Sequence, residues 1–336
     1  MQQTTSTRQH GRILRWASIS VFSLLLFSLF AWTGSRTDEP LAPPAETPAV
    51  ELSEEALTSL PLQVPDSLLC PLSELSDEEL QAQLNRILDA NPSWAALARS
   101  KKLSIGLVDM RDPLHARYAG INKKEMVYAA SLPKIAVLLT SIQAIENGDL
   151  KETPEVKQDM RLMIAKSNNA ATTRMIDRVG IDQIARVMQD PRYQFYDRSN
   201  KGGLWVGKAY GRGGARHGDP IKNISHAATA EQVCRYYYLL ANGLLVSPER
   251  SKQMLEIMGN PELHHKFVNV LDRIAPDAQV FRKSGSWKNW HADSVLVWGK
   301  NRKYILVGLA ETPEGEQLMR DLIRQVDRAL MASRNA

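Results

Sequence analysis

The hydrophobic pattern changes period twice along the chain, and this constrains the fold more than any other feature. Residues 102–110 and 116–122 alternate as two strands, and 280–287, 292–298 and 303–310 are three further runs rich in β-formers, joined by short turns. The stretch between them reads mostly as helix. Residues 132–146 are apolar and stop at Asn147-Gly148; 156–166, 170–179 and 181–188 follow; 230–241 closes at Asn242-Gly243; Ser247-Pro248-Glu249 opens a helix to about Met258. At the ends, Ser76-x-x-Glu79 reads as a capping box ahead of Leu80, Leu84, Ile87 and Leu88, and residues 314–333 form a closing helix. This order predicts an α+β fold. A five-stranded antiparallel sheet is backed by the two terminal helices, and an all-α lobe is inserted between strands two and three.

The segment ahead of this pattern is of another kind. Arg8, His10, Arg12 and Arg15 precede an uncharged run from Trp16 to Trp32. Residues 1–12 are thus a basic segment and 13–32 a signal anchor or signal peptide. Ala31-Trp32-Thr33 is a poor cleavage site and no lipobox cysteine follows, which favours the anchor. The positive flank puts the N-terminus in the cytoplasm and the rest outside, so the expected location is periplasmic, held to the inner membrane or released if cleaved. Residues 33–66 carry Pro40, Pro43, Pro44, Pro48, Pro61 and Pro65, which rule out a continuous helix and read as an extended linker. Residues 67–336 then form the folded domain. The net charge of +5 permits contact with anionic lipid or cell-wall polymer, but no basic cluster interleaved with aromatics marks a nucleic-acid partner. A monomer is expected. Cys70 and Cys234 could pair in an oxidising compartment; two unpaired thiols, one buried in a helix, is the favoured reading.

Chemistry enters at the head of the first apolar helix, with Ser131-Leu132-Pro133-Lys134. One turn separates Ser131 from Lys134, so both side chains share a face. A serine hydroxyl needs a base to take its proton, and a lysine with a depressed pKa can serve. The tetrapeptide alone is a weak signal. It gains weight from Ser167-Asn168-Asn169 and then Lys283-Ser284-Gly285, following in that order.

With these motifs the region 76–333 resembles the class A β-lactamase-like serine hydrolases, relatives of the D-alanyl-D-alanine peptidases. The stretches around Ser131, around Ser167-Asn168-Asn169-Ala170-Ala171-Thr172, at Ala228-Thr229-Ala230 and at Arg282-Lys283-Ser284-Gly285-Ser286-Trp287 carry the likeness. The resemblance implies that Ser131 is acylated and that Lys134 accepts its proton. Ser167 would relay a proton to the leaving amine, and Asn169 would hold the substrate's amide side chain. Lys283, on an edge strand, would bind a carboxylate and tune Ser167, with Ser284 adding a hydroxyl. The N–H groups of Ser131 and Ser286 would form an oxyanion hole beside Gly285. The implied substrates are β-lactams or peptidoglycan-like amides. No metal or organic cofactor is required.

The chain also departs from that family. Asn168 stands for an aspartate and Ser284 for a common threonine. Ser131 and Ser167 are 36 positions apart (167 minus 131), fewer than is usual, which implies a shortened helical lobe. The Glu-x-x-Leu-Asn stretch that activates the deacylating water is missing, and no glutamate occurs between Asp197 and Glu231. Weak β-lactamase activity is therefore expected unless Asp219, His217 or Lys134 serves as the base. A D,D-peptidase, amidase or esterase reaction on cell-wall fragments is the alternative, and a non-catalytic binding protein is a second. His291 either faces the site or lies in a solvent turn. His264-His265 reads as a helix surface without a third metal ligand. Trp205 and Tyr210 either line a groove or anchor loops.

Overall fold

The computed structural model describes residues 69–332, apart from 113 and 212. The readings for 1–12, 13–32 and 33–66 lie outside the described residues. In chain order the helices and strands are α1 (Glu78–Asp89), α2 (Pro92–Arg99), β1 (Leu103–Asp109), β2 (Arg117–Ile121), β3 (Val127–Tyr128), α3 (Lys134–Glu146), α4 (Pro154–Ala165), α5 (Asn169–Val179), α6 (Ile181–Gln189), β4 (Tyr196–Asp197), β5 (Gly202–Gly203), β6 (Trp205–Val206), β7 (His226–Ala228), α7 (Ala230–Ala241), α8 (Pro248–Met258), α9 (Phe267–Ile274), β8 (Gln279–Trp287), β9 (Trp290–Gly299), β10 (Arg302–Glu311) and α10 (Gly315–Ala332).

The large sheet is antiparallel in the order β2-β1-β10-β9-β8, so β8 is an edge. Alternation along its strands separates two cores. Tyr304 and Leu306 join Val295, Val297, Ile105 and Leu107 beneath α1, α9 and α10. Ile305, Val307 and Leu309 join Leu296 on the opposite face, against the helical lobe. The central helix of that lobe, α3, is buried from Lys134 through Ile145, which is why its sequence is apolar all round.

Several expectations need correction. The N-cap of α1 is Asp77, one residue later than Ser76, and its carboxylate accepts from the Leu80 N–H at 2.7 Å. Ser76 instead bridges to Tyr118. Helices α2 and α9, each of eight residues, were not anticipated. His264 and His265 lie in the segment leading into α9 rather than on a helix. The cysteines follow the favoured reading: both are free, Cys70 exposed and Cys234 buried in α7. No helix among the described residues is long and apolar enough to cross a membrane.

Candidate active site

The turn that carries Ser131 is built by local constraint. Ala130 has φ +50°, and Ser131 to Pro133 form a tight turn in which the Lys134 N–H donates to the Ser131 carbonyl at 3.3 Å. Pro133 has φ −64°, which suits the entry to a helix. The edge strand presses against this turn. A Cβ on Gly285 would fall 2.3 Å from the Ala129 carbonyl oxygen and 2.7 Å from the Ser131 nitrogen, so only glycine permits the approach. Ser131, Asn169 and Ser286 thereby line one cleft of about 690 Å³.

Beneath Ser131 the polar groups form one network. Lys134 is fully buried at the head of α3. Its ammonium nitrogen donates to the Ser167 carbonyl at 2.6 Å, to Asn169 Oδ1 at 2.8 Å and to Ser167 Oγ at 3.4 Å, and lies 4.7 Å from the Tyr210 ring centre. Burial lowers its pKa to about 7. Lys283, on β8, is also buried and donates to Ser167 Oγ at 2.9 Å and to the Ser284 carbonyl at 2.7 Å. Burial first, then the charges of Lys134 and Arg282, push its pKa well below the ordinary lysine value. Ser167 therefore sits between two lysines and is held with φ +53°, a backbone state that side chains rarely adopt. Asn168 caps α5 by accepting from the Ala171 N–H at 2.8 Å. Asparagine and aspartate cap equally well, so the cap is kept with either residue at this position. Ser284 is buried beside Lys283.

The glycine-rich loop between β6 and β7 folds onto this network. Gly211, with φ +68°, brings the chain against Asn169. Tyr210 is buried, lines the cleft and donates its hydroxyl to the Ala130 carbonyl at 3.2 Å. The two candidate bases on the loop are placed otherwise. Asp219 is buried and accepts from the Tyr196 hydroxyl at 3.0 Å and from the N–H groups of Ile221, Lys222 and Ile224. It pins a turn. His217 is exposed, and its carbonyl accepts from the Trp205 indole at 2.8 Å. Neither side chain lines the cleft. Trp205 is buried against Tyr196 and anchors the loop. His291 lies on β9, packed against Gly315 at the start of α10.

The sequence reading missed His226, which lines the cleft from β7. Its Nε2 is 3.1 Å from the Lys208 carbonyl oxygen, so that nitrogen carries the proton and donates. Its ring lies 4.2 Å from that of Tyr210. Burial lowers its pKa to about 4. The available signal was its position three residues ahead of Thr229, which caps α7 through the Gln232 N–H. The cleft rim carries Lys208, Arg216 and the exposed Trp287, and no carboxylate side chain lines it among the described residues.

The model of the beta-lactamase enzyme family matches residues 151–333, more than half of the 336-residue chain. The chain belongs to the beta-lactamase enzyme family. Ser131 and Lys134 precede the matched stretch, so their association with the rest of the motif set rests on the geometry above. No curated protein matches this beta-lactamase family member. Solved structures match its fold. A beta-lactamase from Sphaerobacter thermophilus is 15% identical, with 75% of this chain and 96% of that chain covered and a TM-score of 0.57. A mutant of PBP-A, in an acyl-enzyme complex with penicillin G, is 18% identical over 80% of this chain and 99% of that chain, with a TM-score of 0.58. A class A representative from Bacteroides cellulosilyticus is 14% identical over 75% and 99%, with a TM-score of 0.56.

Proposed function

We propose that this beta-lactamase family member is an exported serine hydrolase that forms an acyl-enzyme at Ser131 with β-lactams or peptidoglycan-like amides and releases the acyl group slowly. The observation that carries this reading is the Lys134 amine. It is buried one turn from Ser131, with a pKa near 7 and contacts to Ser167 and Asn169. A lysine in that state is uncharged for much of the time at neutral pH and can accept a proton.

Ser131 Oγ attacks the substrate carbonyl carbon and forms the C–O bond as its proton passes to Lys134 Nζ. Negative charge gathers on the carbonyl oxygen, where the Ser131 and Ser286 N–H groups would meet it. The C–N bond then breaks. Ser167 Oγ, between Lys134 and Lys283, gives its proton to the departing nitrogen and regains one from Lys134. Lys283 and Ser284 would hold a substrate carboxylate, and the basic rim of Lys208 and Arg216 favours an anionic substrate. Hydrolysis of the ester needs a second base, and the cleft offers no carboxylate among the described residues. His226 is neutral there, and a group of pKa about 4 drives proton abstraction only weakly. This supports a persistent acyl-enzyme. A mutant of PBP-A, which shares the fold, is known as an acyl-enzyme complex with penicillin G. A monomer, held to the periplasmic face of the inner membrane by its N-terminal segment, would suit cell-wall substrates.

The test is intact mass over time for the purified protein with a penicillin, beside Ser131→Ala. A stable adduct on the wild type alone is the expected outcome. Drug consumption without an adduct, lost in the variant, would mean efficient turnover through another base. Neither adduct nor consumption would overturn the acylation of Ser131 by β-lactams.

A further inference from the structure

Lys266 is a third fully buried lysine, outside the network of Lys134 and Lys283. It occupies the position before α9 with φ +53°. Its ammonium has three protons and the structure shows three acceptors: the Gly285 carbonyl at 2.6 Å, Ser286 Oγ at 2.8 Å and the Ala292 carbonyl at 3.0 Å. No carboxylate bonds to it among the described residues. Asp293 on β9, whose charge Lys266 feels most among the carboxylates, accepts from Arg282 at 2.8 and 2.9 Å and from the Phe267 N–H at 3.0 Å. A buried cation bonded only to neutral oxygens is costly. An apolar side chain of similar length would fill the space without that cost.

The Gly285 carbonyl belongs to the same peptide unit as the Ser286 N–H. A peptide group is conjugated from oxygen to nitrogen. A positive charge held against the oxygen therefore draws electron density from the nitrogen and strengthens its N–H as a donor. We infer that Lys266 is a positioning residue that polarises the Gly285–Ser286 peptide and so strengthens the Ser286 N–H toward the substrate's developing oxyanion, an inference that rests on the acyl-enzyme reading of Ser131. Lys266 does not line the cleft. Its charge acts through the peptide, and it acts most in the transition state, when the oxygen facing the N–H becomes negative.

The device depends on pH. Burial lowers the Lys266 pKa to about 8. The carboxylates of Asp293 and of Glu316 on α10 raise it, and Arg282 on β8 lowers it. His265 and His291 also feel its charge, and burial lowers the pKa of both. The ammonium is charged at neutral pH and discharges above about 8.

Two readouts test this. The first is the second-order rate of acylation by a penicillin. The second is the infrared stretch of the ¹³C-labelled ester carbonyl in the acyl-enzyme, which falls in frequency as the oxyanion donors strengthen. Lys266→Met should acylate about tenfold more slowly, less than the loss of a whole oxyanion donor. Its ester stretch should lie higher than in the wild type. The wild-type stretch should rise as pH passes about 8, and that step should be missing from the variant, whereas the titration of Lys134 near 7 is common to both. Lys266→Gln, which donates without charge, should behave like Lys266→Met. Rates and stretches that match the wild type in either folded variant would overturn the inference while leaving the acyl-enzyme intact. So would a wild-type stretch that ignores pH around 8, a test that requires no variant. A wild type that never acylates removes both this inference and the reading beneath it.

Discussion

Lys134 is the residue on which the proposed chemistry turns, because its surroundings set when it could act. Burial leaves it with a pKa near 7, so its neutral, proton-accepting form grows as pH rises through that value. Acylation of Ser131 should therefore climb from pH 6 through 7, below the discharge of Lys266 near 8, read from adduct formation in stopped samples. Lys134→Arg should lower the rate by roughly 10²–10⁴-fold and flatten that climb, since a guanidinium does not release its proton in this range. At this scale the sequence was informative where residue type and order both mattered. Ser131, Lys134, Ser167, Asn169 and Lys283 stand in short motifs whose spacing puts them on helix heads and a strand. His226 and Lys266 were hidden because their interest comes from burial, and burial is conferred by elements distant in sequence.

At the scale of elements, the helix that opens at Asn169 shows how a candidate catalytic motif is also a piece of scaffolding. Asn168 caps it, and Lys134 reaches the residues on either side of that cap. Asn168→Asp should leave the thermal midpoint close to the wild-type value, because the carboxylate can accept the same N–H. Asn168→Ala should cost about 1 kcal/mol in denaturant unfolding, the usual loss for an N-cap. Long elements with clear stop signals were readable, as with α3 and α7. Helices α2 and α9 have eight residues each, too few for a period to establish itself against the neighbouring turns. The paired strands β3, β6 and β7 have two or three residues each and leave no pattern, although β3 and β7 bring Tyr128 and His226 to the cleft.

On the scale of the whole molecule, two cores meet across the sheet, and one ion pair lies deep between the edge strand and its neighbour. Arg282 and Asp293 are both buried and join β8 to β9 immediately beside Lys283. Arg282→Met would leave the Asp293 carboxylate without its counter-charge. Such a change should destabilise the fold by about 3–5 kcal/mol in equilibrium urea unfolding. The arrangement of helix, strands, helical lobe, strands and helix was legible because alternation and helical periodicity differ so plainly. The sheet order was not, because register is decided by which faces the two cores cover.

That order has a consequence for how the protein comes into being. β1 lies next to β10, with Leu103 opposite Ala310, so strands from the two ends of the domain are neighbours. The sheet closes through contacts of very long sequence separation, which form late and slowly. During synthesis the Ser131 turn emerges well before the strand that presses Gly285 against it. The proposed nucleophile and oxyanion donors are thus assembled only once the chain is nearly finished, and the appearance of a reactive Ser131 would serve as a clock for the completion of folding.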